Sequence, residues 1–163
     1  PMIYGLILSG GDPYSVIELR KLFDTGMMQL AMQKRTDAQL EELHEALAVL
    51  SRVVRENPEE QAVLAEDVKF HRIICEMANN HLADKISLVI ERLTMPSRIQ
   101  AVRRFVERGE YDDFIRKHED MVRIISERDY AELAKVIDDH YTYWRSVSVR
   151  MQAPKSKLYD DGK

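Results

Sequence analysis

The stretch Asn57–Asn80, NPEEQAVLAEDVKFHRIICEMANN, decides the fold. Asn57-Pro58-Glu59-Glu60 reads as a helix start: a polar cap, then a proline whose missing N–H is harmless in a first turn. Asn79-Asn80 reads as a stop. Between them Val63, Phe70, Ile74 and Ala78 recur at helical spacing, which predicts a helix to about Ala78 with one buried face. Asp67 and His71 interrupt that face. A buried polar side chain without a partner costs about 1–3 kcal/mol, so the interruption calls for a partner.

Similar punctuation runs outward along the chain. Asp12-Pro13 opens a first helix to about Lys34, and Thr36 to Gln39 forms a capping box before Leu40, Leu43, Leu47 and Leu50. Asn80 can cap a fourth helix through Leu93, which Pro96 ends or kinks; Ser97 to Val106 reads as helical beyond it. Gly109 breaks the chain again. Asp112 to Glu127 follows, and Asp129 to Glu132 reads as a second capping box before a last helix to about Met151. No stretch alternates with period two for long enough to make a strand. The prediction is an all-α fold, an antiparallel bundle of six to seven helices joined by short turns. One domain is expected over 12–151, with 1–11 as a linker remnant and 152–163 as a flexible tail.

Length and composition agree with a single globular domain: 163 residues, 45% hydrophobic and 32% charged. The net charge of −4 argues against nucleic-acid binding by these residues alone. The single Cys75 excludes an internal disulfide framework and suggests a reduced, cytoplasmic setting. Its plain role is a small core filler. No apolar run is long enough for a membrane span, and Ile3 to Leu8 lacks the basic flank of a signal peptide. A start at Pro1 suggests a piece of a longer protein.

The last two helices repeat the anomaly of the third. His118 falls on the stripe Phe114, Met121, Val122 and Ile125. His140 falls on the stripe Leu133, Val136, Ile137 and Trp144. Asp67 and His71 are spaced i, i+4 and share a helix face. One carboxylate and three imidazoles facing one core suit a divalent borderline metal: zinc first, with nickel, manganese or iron as alternatives. The plain alternative is three core histidines without an ion. His44 and His81 show no such conflict with an apolar stripe and are assigned to the surface or its boundary.

These residues also carry a family resemblance. Glu18-Leu19-Arg20, Arg35-Thr36-Asp37 with Leu40, Asp67-Val68-Lys69-Phe70-His71, Asn80, His118 with Ile125 and Asp129, and His140 together resemble one domain. It is the C-terminal effector-binding (FCD) domain of GntR-type bacterial transcription regulators, FadR subgroup. The resemblance spans roughly Tyr14 to Arg150. It implies a helical bundle, a metal held by Asp67, His71, His118 and His140, and a small carboxylate effector beside it. It places Arg20 and Asn80 among the effector contacts. Arg20 shares a face with Val16, Phe23 and Met27, which suits an inward guanidinium; an ion pair with Asp24 on a solvated face is the equal alternative. Asn79 stands where the family often has glycine, and asparagine tolerates the left-handed conformation. Among Arg98, Arg103 and Arg104, a solvated run by default, Arg98 is the candidate to turn inward to the effector.

The expected function is a metal-containing sensor, homodimeric and not an enzyme. Its effector would bias the bundle and so control DNA binding by a winged helix-turn-helix domain absent from this chain. The competing reading is a helical-bundle metalloenzyme acting on a small acid. Against it, Glu41 to His44 is a lone Glu-x-x-His element, and neither a His-Glu-x-x-His element nor a phosphate loop appears.

Overall fold

The structure, a computed structural model, describes residues 13–142. The linker expected at 1–11, the cap at Asp12, the last helix beyond 142 with Trp144, and the tail at 152–163 lie outside them. The described residues form six helices: α1 (Pro13–Lys34), α2 (Asp37–Glu56), α3 (Glu60–Met77), α4 (His81–Arg108), α5 (Tyr111–Glu127) and α6 (Leu133–His140). No strand occurs among them. The fold is an all-α bundle.

Local chemistry accounts for the helix boundaries. Thr36 and Gln39 form the expected capping box at the start of α2. Asn80 accepts from the Ala83 N–H at 3.1 Å and caps α4. Asn79 at φ 43° takes the left-handed turn before it, as an asparagine can. Gly109 at φ 65° ends α4, in a conformation that glycine adopts without strain. Two starts differ from expectation. Asn57 ends α2 rather than opening α3, which begins at Glu60 with Pro58 outside it. Asp129 accepts from Ala131 and Glu132 N–H groups in a turn, so α6 begins only at Leu133.

Pro96 neither ends nor splits α4, which runs unbroken for 28 residues. A proline inside a helix costs about 3 kcal/mol. Here its ring faces solvent, while Ile90, Thr94, Arg98, Ala101, Val102 and Phe105 on either side of it are buried. Burial on both sides of Pro96 outweighs one lost hydrogen bond. The Thr94 hydroxyl donates back to the Ile90 carbonyl at 2.9 Å, one turn before the proline.

Packing sets α3 at the centre, against α1, α2 and α4. The short α1–α2 connection does not make those two helices neighbours. Instead α1 lies across α3, α4, α5 and α6. Arg35 anchors the junction: its guanidinium donates to the Ile125 carbonyl at 3.0 Å and the Ser126 carbonyl at 2.7 Å. These carbonyls lie in the last turn of α5, where no helical N–H reaches them. Phe70, Leu43, Leu50, Met28, Phe105, Ile125 and Ile137 fill the core between the helices.

Candidate metal centre

Four helices deliver one cluster of polar side chains to the core. Asp67 and His71 come from the middle of α3, Arg98 from α4, His118 from α5 and His140 from the end of α6; all five are buried. One nitrogen from each of His71, His118 and His140 lies within 4.8 Å of the other two. Zinc ligands at about 2.0–2.1 Å stand roughly 3.3 Å apart in a tetrahedron, so side-chain rotation of order an ångström gathers these nitrogens on one ion. Asp67 Oδ1 lies 3.0 Å from His118 Nε2 and 3.8 Å from His71 Nε2.

The donor chemistry fits a cation. His118 Nδ1 lies 2.8 Å from the Phe114 carbonyl, which can only accept, so Nδ1 carries the proton. In neutral His118 the Nε2 lone pair then faces the Asp67 carboxylate, two acceptors in contact. A metal ion between them, or a second proton on His118, resolves that clash. His71 Nε2 and His140 Nδ1 are buried without a hydrogen-bond partner, which costs about 1–3 kcal/mol each when nothing replaces water. The Phe114 carbonyl is also the kind of acceptor that orients a metal-ligating histidine through its far nitrogen.

Electrostatics point the same way. Burial opposes ionisation of Asp67, but the Arg98 guanidinium, 3.4 Å from Oδ2, outweighs it and holds the carboxyl well below the usual carboxylate range. Burial pushes His71 well below its ordinary value against the pull of Asp67, and Arg98 adds to the push. Burial, then His118, does the same to His140. An ionised carboxylate beside neutral imidazoles is the protonation state that metal ligation requires.

A cavity of about 20 Å³ adjoins the cluster, lined by Asp67, Arg98, Lys117, His118 and His140 on its polar side. Phe105, Phe114 and Val102 are among its apolar walls. That volume has room for about one water as it stands, well short of a drug-sized site.

Two expected effector residues are not among those lining this cavity. Asn80 is exposed and spends its side chain on the α4 cap. Arg20 is buried, yet its partner is Asp24, with Nε 2.9 and 2.8 Å from the two carboxylate oxygens. Arg20 thus turns inward, and its ion pair with Asp24 is buried rather than on a solvated face. Thr94 accepts from the same guanidinium at 3.0 Å, and the Tyr141 hydroxyl donates to Asp24 at 2.6 Å. Burial opposes the charge on Arg20, but Asp24 outweighs it and raises the Arg20 pKa, so the guanidinium stays charged. Burial, then Asp24, raises the Tyr141 pKa well above its ordinary value. Arg103 is exposed and pairs with Glu60, as a solvated run implies. His44 and His81 are exposed, and Cys75 is buried, as expected.

Sequence reasoning missed Lys117 and Tyr141. Lys117 precedes His118, one position off the apolar stripe, and its i, i+4 spacing from Asp113 was the available signal. Tyr141 is aromatic on a helix end and raised no conflict to notice.

The FCD domain family matches residues 15–143, most of the chain, and the chain belongs to it. Among curated proteins it is 26% identical over 149 residues to the HTH-type transcriptional repressor NanR of Cronobacter sakazakii (strain ATCC BAA-894), covering 85% of this chain and 53% of that protein. It is 31% identical over 84 residues to the HTH-type transcriptional regulator LutR of Bacillus subtilis (strain 168), covering 50% of this chain and 36% of that protein. The chain thus spans about half or less of the relatives it matches. No solved structure matches it. Family and relatives support an FCD effector domain of a GntR-type transcription regulator.

Proposed function

We propose that this chain is the metal-dependent sensor domain of a bacterial transcription regulator of the FadR subgroup, cytoplasmic and not an enzyme. The observation that carries the reading is the pair of buried, unpartnered imidazole nitrogens of His71 and His140, converging with His118 and Asp67. These four residues would hold a divalent ion, with zinc the first candidate and nickel or manganese the alternatives. A bound divalent ion supplies a Lewis-acidic centre for an oxygen ligand. The chain's own residues do the rest: Arg98 holds Asp67, Phe114 fixes the His118 ring, and Phe105 with Phe114 limits water access.

The effector is a small carboxylate seated in the adjoining cavity, with Arg98 as its cationic neighbour. Its binding ties α3, α4, α5 and α6 together and shifts the population of bundle geometries. DNA contact belongs to a helix-turn-helix domain outside this chain, as in the relatives named for one. A homodimer is supported by exposed apolar pairs on two helices that pack together: Leu19 and Leu22 on α1, Leu82 and Ile86 on α4.

A thermal-shift screen tests the coupling. Short carboxylic acids at millimolar concentration should raise the melting temperature of metal-loaded protein by a few degrees and leave chelator-treated protein unmoved. Equal shifts with and without metal would refute it.

A further inference from the structure

The core holds a second buried polar cluster, which shares no residue with the histidines. The Tyr141 hydroxyl donates to Asp24 at 2.6 Å, and Arg20 pairs with the same carboxylate at 2.8 Å. Another nitrogen of that guanidinium donates to Thr94 at 3.0 Å. All four residues are buried. Two of them belong to α1, Thr94 belongs to α4, and Tyr141 follows the last residue of α6. Its N–H still donates to the Ile137 carbonyl at 3.1 Å, so it continues the final turn.

The two clusters adjoin at both ends. Successive side chains on a helix stand about 100° apart, so His140 faces the histidines while Tyr141 faces α1. Their ring centres are 5.6 Å apart. On α4, Thr94 lies one turn before Arg98, which pairs with Asp67 at 3.4 Å. By contrast, α1 supplies none of Asp67, His71, Arg98, His118 and His140.

Gathering nitrogens now up to 4.8 Å apart onto one ion displaces the histidines, His140 among them. Tyr141 moves with His140, because a planar peptide fixes the distance between their Cα atoms. Its acceptor is an ion-paired carboxylate, and hydrogen bonds to charged groups are the strong ones. Parting them would strand a buried donor and acceptor, so Asp24 and α1 follow. A Lys21–Asp138 pair also joins α1 to α6, but those side chains are 34% and 51% exposed, and such pairs hold weakly. Leu22, on the far side of α1 from Arg20 and Asp24, is exposed, so the movement reaches an open face of the bundle.

We propose that Tyr141 is a positioning residue whose hydrogen bond to Asp24 carries the movement of His140 on metal binding to α1, a helix that supplies no ligand. This rests on the metal-dependent reading above and adds a route out of the site.

The test follows backbone amide resonances of the isotope-labelled chain as zinc is added, with zinc stoichiometry measured separately. In the unmodified chain, α1 amides around Arg20 to Asp24 should shift together with those of α3 and α5. Tyr141→Phe removes one hydroxyl. It should keep the zinc stoichiometry and the α3 and α5 shifts, while the α1 shifts shrink about threefold or more. Thr94→Val cuts the α4 end of the network and should leave the α1 response in place. A full α1 response in Tyr141→Phe overturns the proposal, as does an α1 response lost in Thr94→Val, which would route the movement through α4. Zinc uptake by the unmodified chain with α1 amides unmoved overturns it without any variant. Failure of the unmodified chain to take up zinc overturns the metal-dependent reading itself.

Discussion

At the residue scale the cluster gives an unusual pH response. His71 and His140 are held neutral in the folded chain, well below their ordinary value of 6.5. Unfolded, both take up protons as pH falls below that value. The unfolded state then binds more protons than the folded one, so stability rises with pH and falls on acidification. Each histidine contributes at most about 1.4 kcal/mol per pH unit. Asp67 adds a further loss below its ordinary value of 3.8, because its folded pKa is lowered. The melting temperature of chelator-treated protein should therefore drop between about pH 7 and pH 5, and His140→Asn should flatten the slope. A melting temperature that holds constant or climbs over that interval would show that these imidazoles are not buried as neutral groups. The sequence exposed this cluster because Asp67, His71, His118 and His140 each violated an apolar stripe, a conflict that needs no structure to detect. It could not expose the Arg20–Asp24–Tyr141 network in the same way. An i, i+4 ion pair reads alike on a buried and on a solvated face, and the burial of this one depends on α4 and α6.

At the element scale, helices were legible where their ends are written in caps and their faces in period. The Thr36 box, the Asn80 cap and the Gly109 stop each rest on chemistry within four residues. Pro96 misled as a helix end because its local cost is real, while the burial that carries the helix through it comes from helices distant in sequence. The packing of α1 was illegible for the same reason: short connections suggest neighbours, but Arg35 and the apolar face of α1 found better partners. The exposed apolar pairs on α1 and α4 carry a prediction at this scale. Leu22 is 73% exposed and Leu82 70%, so neither stabilises the lone chain by burial. Leu22→Glu with Leu82→Glu should turn a dimer into a monomer in sedimentation while changing the melting temperature of dilute protein little. A dimer that survives both changes would place the interface on another face.

At the scale of the whole molecule, the cluster draws on α3, α5 and α6, with Arg98 of α4 beside it. An ion there would fix the relative positions of elements that otherwise meet through apolar packing and ion pairs such as Arg116–Asp139 and Arg103–Glu60. That is a sound basis for a sensor, since any ligand that alters coordination alters the geometry of most of the bundle. The measurement that tests this most directly is elemental analysis of the chain, purified without added metal and without a metal-binding tag. The account predicts close to one divalent ion per chain, lost in His118→Ala and in His140→Ala, with the melting temperature of the unmodified chain falling on chelation. Metal-free protein, with a melting temperature indifferent to chelator and to added zinc, nickel or manganese, would contradict it and leave the three histidines as core residues.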